Sequence, residues 1–154
     1  MRKPENLNTV NEILDFAIEK EQEAFDFYML WSAKVENKAI GDVFKELADN
    51  EKAHKSFLTD VKSGKRIPPE PKEITNLSIS DYLVEIEPTP DMDYQSALMV
   101  AMQREKSANQ LYTNLAAAVK VEEIKNMFLT LAAEEAKHKL RLESIYDDEV
   151  LRET

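Results

Sequence analysis

Leu47-Ala48-Asp49-Asn50-Glu51-Lys52-Ala53-His54-Lys55-Ser56-Phe57-Leu58 reads as a helix face with two residues out of place. Leu47, Ala48 and Leu58 recur at the three- and four-residue steps of a buried stripe. Glu51 and His54 stand on that same stripe, where residues three and four apart share a face. The stretch returns 84 residues later as Leu131-Ala132-Ala133-Glu134-Glu135-Ala136-Lys137-His138-Lys139-Leu140-Arg141-Leu142. Glu135 and His138 then hold the places of Glu51 and His54.

The same shift carries the rest of the chain without a gap. Ala17 falls on Ala101, Glu21 on Glu105, Tyr28 on Tyr112 and Phe44 on Phe128. Each half therefore holds two long helical patterns. The first opens at a capping box, Thr9-x-x-Glu12, and follows Ile13, Leu14, Ala17, Ile18, Ala24, Phe25 and Tyr28 to about Asn37. A second runs over 38–63, with Gly64 as its left-handed terminator. The third covers about 92–119 and the fourth about 122–147, and the acidic Asp147-Asp148-Glu149 is expected to be a frayed, solvated end. Between the halves, Pro68, Pro69, Pro71, Pro88 and Pro90 exclude a continuous helix. A short helix is predicted there over Ser78–Glu87. The expectation is an all-α chain: one domain over 1–154, with helical hairpins at 8–63 and 92–147 joined by a long crossover at 64–91.

Composition narrows the function. Two glycines in 154 residues and many Glu, Lys, Ala and Leu suit helices. No cysteine is present, so disulfides, thiolate zinc sites, iron–sulfur clusters and thiol nucleophiles are all excluded from this chain. A formal charge of −10 disfavours nucleic acid and anionic lipid as partners. The opening Met1-Arg2-Lys3-Pro4-Glu5-Asn6 leads into no apolar segment, and no run of about 18 apolar residues follows. A soluble, cytoplasmic protein is expected.

The polar residues on the buried faces carry the chemistry. Glu21 lies among Ala17, Ile18, Ala24, Phe25 and Tyr28, and Glu105 lies among Ala101, Met102, Ala108 and Tyr112. Four carboxylates turned into one core would each cost several kcal/mol and repel one another. Few Lys or Arg fall on these stripes, whereas two divalent cations neutralise four carboxylates. His54 and His138 each add an imidazole three residues after a glutamate. The candidate metal ligands are therefore Glu21, Glu51, His54, Glu105, Glu135 and His138. Tyr28 and Tyr112, two turns beyond the lone glutamates, are either core tyrosines with any acceptor or donors to a ligand carboxylate. Asn50 and Glu134 are read as solvated helix edges, with orientation of the histidines as the alternative. Met29, Met92, Met99, Met102 and Met127 are read as core filler, and Trp31 carries no evident chemistry.

A lone Glu on two helices with Glu-x-x-His on the other two is the general pattern of ferritin-like di-iron and di-manganese bundles. Within that superfamily the chain resembles the rubrerythrin branch. The resemblance rests on Glu21-Gln-Glu-Ala-Phe-Asp-Phe-Tyr28, Asn50-Glu-Lys-Ala-His54, Glu105-Lys-Ser-Ala-Asn-Gln-Leu-Tyr112 and Glu134-Glu-Ala-Lys-His138, and covers about residues 8–147. It implies a ferritin-like four-helix bundle, two iron ions (or manganese, or a mixed pair) on the six ligands, and tyrosines beside them. Two departures stand out. Rubrerythrins proper carry a cysteine-ligated rubredoxin domain, which a chain without cysteine cannot form. They also place an extra glutamate one turn past the third-helix ligand, where this chain has Ala108.

The function this implies is a redox enzyme reducing hydrogen peroxide or O2 with electrons from an external donor protein, and a homodimer is expected. Non-enzymatic iron binding with ferroxidase-type handling is the second reading. A helical module with structural metals is the third.

Overall fold

The computed structural model describes residues 10–64, 89 and 91–149. Its helices are α1 (Val10–Lys34), α2 (Lys38–Lys62), α3 (Tyr94–Ala118) and α4 (Glu122–Glu149). The capping box at Thr9, the prolines at 68, 69, 71, 88 and 90, and the short helix expected over 78–87 lie outside the described residues.

Local chemistry sets the boundaries. The expected end of α1 near Asn37 comes three residues early, because Asn37 leaves the helix to cap the next one. Its side-chain oxygen accepts from the amides of Ala39 (2.9 Å) and Ile40 (3.3 Å), two orphan donors of the first turn of α2. Asp93 does the same for α3, accepting from Ser96 N at 2.7 Å. Gly64, at φ 80°, terminates α2 in the left-handed region as its sequence position suggests. Gly41 permits a close approach, since a Cβ there would stand 3.0 Å from the carbonyl oxygen of Ser32 on α1. The acidic Asp147-Asp148-Glu149 is not frayed: α4 runs through Glu149, whose carboxylate accepts from Asn37 Nδ2 at 3.4 Å.

Two apolar clusters show how the helices run. One joins Ile13, Leu14 and Ala17 of α1 to Leu58 and Val61 of α2, Leu115 of α3 and Phe128 of α4. The other joins Tyr28 and Trp31 to Phe44 and Leu47, to Ala97 and Leu98, and to Leu142 and Ile145. The start of α1 therefore meets the ends of α2 and α3 and the start of α4. So α1 is antiparallel to both α2 and α3, while α2 and α3 are parallel. The end of α2 and the start of α3 therefore lie at opposite ends of the bundle, as two antiparallel hairpins set side by side require. Each fully buried Leu or Phe in these clusters contributes on the order of 1.5–3 kcal/mol.

The methionines divide. Met92, Met102 and Met127 pack against the clusters, but Met29 and Met99 are each 40% exposed and are not core filler. Their helical phases put them at the bundle's flanks. Trp31 is buried against Tyr94, ring centroids 6.1 Å apart, with Lys34 Nζ 4.9 Å above its ring. No described helix is long and apolar enough to cross a membrane.

Replacing Asn37 by Ala should remove the α2 cap and lower stability by about 1 kcal/mol. Thermal unfolding followed by circular dichroism should show a melting point roughly 2–4 °C lower. No change would mean that the amides of Ala39 and Ile40 are served as well by water.

Candidate metal centre

Between the two clusters the core is interrupted. Glu21, Glu51, His54, Glu105, Glu135 and His138 are the buried charged or polar residues of the described chain, each 6% exposed or less. All six sequence candidates thus meet in one place, at the middle of the bundle, with two from α2, two from α4 and one each from α1 and α3.

The tyrosines fix the lone glutamates crosswise. Tyr28 on α1 donates to Oε1 of Glu105 on α3 at 2.8 Å, and Tyr112 on α3 donates to Oε1 of Glu21 on α1 at 2.6 Å. Of the two readings left open for these residues, the structure favours the donor to the candidate carboxylate. Each bond leaves the second oxygen, Oε2, facing inward. Glu105 Oε2 lies 3.3 Å from His138 Nδ1, and Glu21 Oε2 lies 3.5 Å from His54 Nδ1. Glu51 Oε1 is 3.0 Å from His138 Nδ1 and 3.8 Å from His54 Nδ1. Glu135 Oε1 is 3.2 Å from His54 Nδ1 and 3.4 Å from His138 Nδ1. The imidazoles themselves lie nearly parallel, centroids 6.0 Å apart.

Two overlapping donor sets result. One is Glu21, Glu51, His54 and Glu135, the other Glu51, Glu105, Glu135 and His138, with the donor atoms of each set within 4.8 Å of one another. Glu51 and Glu135 belong to both. Each of the six residues presents one buried atom without a hydrogen-bond partner: Oε2 of Glu21 and Glu105, Oε1 of Glu51 and Glu135, and Nδ1 of both histidines. Buried polar atoms normally find partners, so six orphans converging on one spot call for a cation. Donors about 2.1 Å from a shared ion and about 90° apart stand about 3 Å from each other, close to the spacings here. Carboxylate and imidazole are also the donors that iron and manganese accept.

Among protein groups alone the electrostatics are unfavourable. Burial pushes the carboxyls of Glu51, Glu105 and Glu135 above the usual range, and the neighbouring carboxylates push Glu51 and Glu135 further. Burial alone would push the histidines down, but the acidic neighbours outweigh it. His54 is raised by Glu21 and Glu134, and His138 is raised to about 9 by Glu105 and Glu51. Burial and the nearby carboxylates hold Tyr28 and Tyr112 firmly protonated, as donors must be.

The expectation that Asn50 and Glu134 are merely solvated edges is corrected. Both stand at the surface, yet each reaches a histidine on the opposite hairpin. His54 Nε2 lies 2.5 Å from Glu134 Oε2, and His138 Nε2 lies 3.3 Å from the Asn50 amide. Their signal in the sequence is the repeat itself, since residues 50 and 134 are related by the same 84-residue shift as the ligand candidates.

A four-helix bundle whose core closes on a carboxylate–histidine cluster is the architecture of the diiron-carboxylate class. The sequence matches the rubrerythrin family over residues 12–84 and 96–154, and the chain belongs to that family. Its fold is shared by a Thermotoga maritima protein assigned to the ferritin-like diiron-carboxylate proteins, 22% identical, with a TM-score of 0.74 over 89% of this chain and 93% of that one. A hypothetical protein from Pyrococcus furiosus, 27% identical, superposes with a TM-score of 0.69 over 89% and 87%. No curated protein sequence matches the chain.

The raised values set a pH dependence for the metal-free protein. Carboxyls that hold protons to higher pH in the folded chain than in the unfolded one favour folding at low pH and lose that contribution as pH rises. The histidines act in the same sense: their contribution is full below the usual 6.5 and, for His138, lost through about 9. In the presence of a chelator, the melting temperature should therefore fall between pH 6 and pH 9. A constant or rising value would contradict the raised proton affinities.

Proposed function

We propose that this chain holds two iron ions on Glu21, Glu51, His54, Glu105, Glu135 and His138 and reduces peroxide or O2 there. The observation that carries the reading is the convergence of six buried, unpartnered donor atoms on two overlapping four-residue sets. When bound, two ferrous ions would supply two electrons, enough with two protons to cleave the O–O bond of hydrogen peroxide to water or to take O2 to the peroxide level.

The residues divide the work. Glu51 and Glu135, common to both sets, hold the two positions together, while Glu21 with His54 and Glu105 with His138 define one position each. Tyr28 and Tyr112 orient the lone carboxylates by occupying one oxygen of each and turning the other inward. Their hydroxyl protons also lie within one hydrogen bond of the centre, as groups able to hold a proton at Oε1 of Glu105 or of Glu21. Leu47, Ala48, Leu131 and Ala132, one turn before Glu51 and Glu135, are buried and set the cluster in an apolar surround. A dry site strengthens every charge interaction within it.

Ala108 stands one turn past Glu105, where its methyl packs against the core and offers no donor. We therefore read the centre as a six-residue site. Electrons for repeated turnover would come from a separate donor protein, because this chain has no cysteine to hold an iron–sulfur or rubredoxin-type centre.

The shared and unshared carboxylates should be separable by substitution. Elemental analysis after iron loading should give two ions per chain in the parent. Glu51→Ala or Glu135→Ala should weaken both positions and leave well under one ion, whereas Glu21→Ala should chiefly remove one. Undiminished iron in Glu21→Ala would strike that residue from the set.

The reaction is tested by stopped-flow mixing of anaerobically reduced, iron-loaded protein with hydrogen peroxide or with O2. Oxidation of the bound iron should outpace that of free ferrous ion at equal concentration. Equal rates with both oxidants would leave iron binding without redox catalysis.

A further inference from the structure

The 84-residue repeat makes the two halves of the centre alike in every candidate ligand and unlike in what stands behind the histidines. Glu134 meets His54 and Asn50 meets His138, although residues 50 and 134 are repeat equivalents. An imidazole that turns Nδ1 toward a cation carries its proton on Nε2. His54 then donates to a carboxylate oxygen at 2.5 Å, a short, charge-assisted bond. Behind His138 the Asn50 amide stands with Nδ2 3.3 Å from Nε2, so a proton on Nε2 finds a neutral acceptor there only when the amide turns its Oδ1 to the ring.

Such partners set how strongly a histidine donates to a metal. A carboxylate pulls the Nε2 proton toward itself, makes the ring more basic at Nδ1 and fixes its plane. An amide does this weakly. Glu134 also brings a negative charge to one side that Asn50 does not bring to the other. Lys55 and Lys139, each next in sequence to a candidate histidine, are themselves repeat equivalents that differ in their partners. Lys55 donates to Gln22 and Lys139 pairs with Glu143.

We infer that the two metal positions are inequivalent: the one built on Glu21 and His54 and backed by Glu134 binds a divalent cation first and more tightly than the one built on Glu105 and His138 and backed by Asn50. Glu134 and Asn50 are thus positioning residues that act through the histidines. This rests on the dinuclear reading above and adds to it an order of loading.

Cobalt(II) titration of the metal-free protein, followed by calorimetry and by the visible absorption of the bound ion, provides the test. Two ions should bind in two steps, the first at least about tenfold tighter. Mutual repulsion of two cations would separate even identical positions, so the variants decide. Glu134→Gln should weaken the first step by about tenfold to a hundredfold and draw the steps together. Asn50→Glu should strengthen the second step and also narrow the gap, and His54→Ala should abolish the tighter step. Circular dichroism should show all three variants as helical as the parent. Two steps whose ratio is unchanged in both Glu134→Gln and Asn50→Glu would overturn the inference while leaving the dinuclear reading intact. Fewer than two cobalt ions per chain in the parent would overturn both.

Discussion

Four carboxylates meeting inside an apolar bundle are the constraint on which everything else in the molecule depends. Left to protein groups alone, Glu51 and Glu135 are pushed toward protonation by burial and then by the carboxylates around them. Two apolar clusters, one on either side along the bundle, hold the carboxylate cluster together, and the crossed bonds of Tyr28 and Tyr112 fix Glu105 and Glu21 within it. Buried charge of this kind destabilises a fold unless something of opposite sign completes it. The centre is thus a place where packing elsewhere offsets an unfavourable local arrangement, as functional sites commonly require.

How much of this was legible in the sequence follows from the kind of signal involved. The four helices, their pairing into hairpins and the six inward residues were readable because each rests on a local period. Glu21 shares a stripe with Ala17 and Tyr28, and one turn's geometry is enough to aim it inward. The repeat then supplied the long-range pairing that a period cannot. Boundaries moved by a few residues where a side chain chose between neighbouring jobs. Asn37 leaves α1 to cap α2, and Glu149 stays in α4 with a partner across the chain.

Less legible were contacts made across the bundle by residues at its solvent edge. Glu134 has a side chain 46% exposed, so its helix phase alone reads as surface. Only the placement of α4 beside α2 shows that it reaches His54. Met29 and Met99 failed in the opposite sense: being apolar did not bring them inside, because the stripe on their helices was already filled. In both cases a one-helix view lacks the neighbouring helix that decides.

The way the donor sets divide between the hairpins has one more consequence. Neither hairpin owns a complete set: the first gives Glu21, Glu51 and His54 but needs Glu135, and the second gives Glu105, Glu135 and His138 but needs Glu51. Direct packing between α1 and α3, or between α2 and α4, is sparse beside the packing within each hairpin. On the reading proposed above, a bound cation is therefore a tie between two half-molecules, and occupancy and docking are linked quantities. The cohesion of the bundle then varies with the composition of the solution around it as well as with its own sequence.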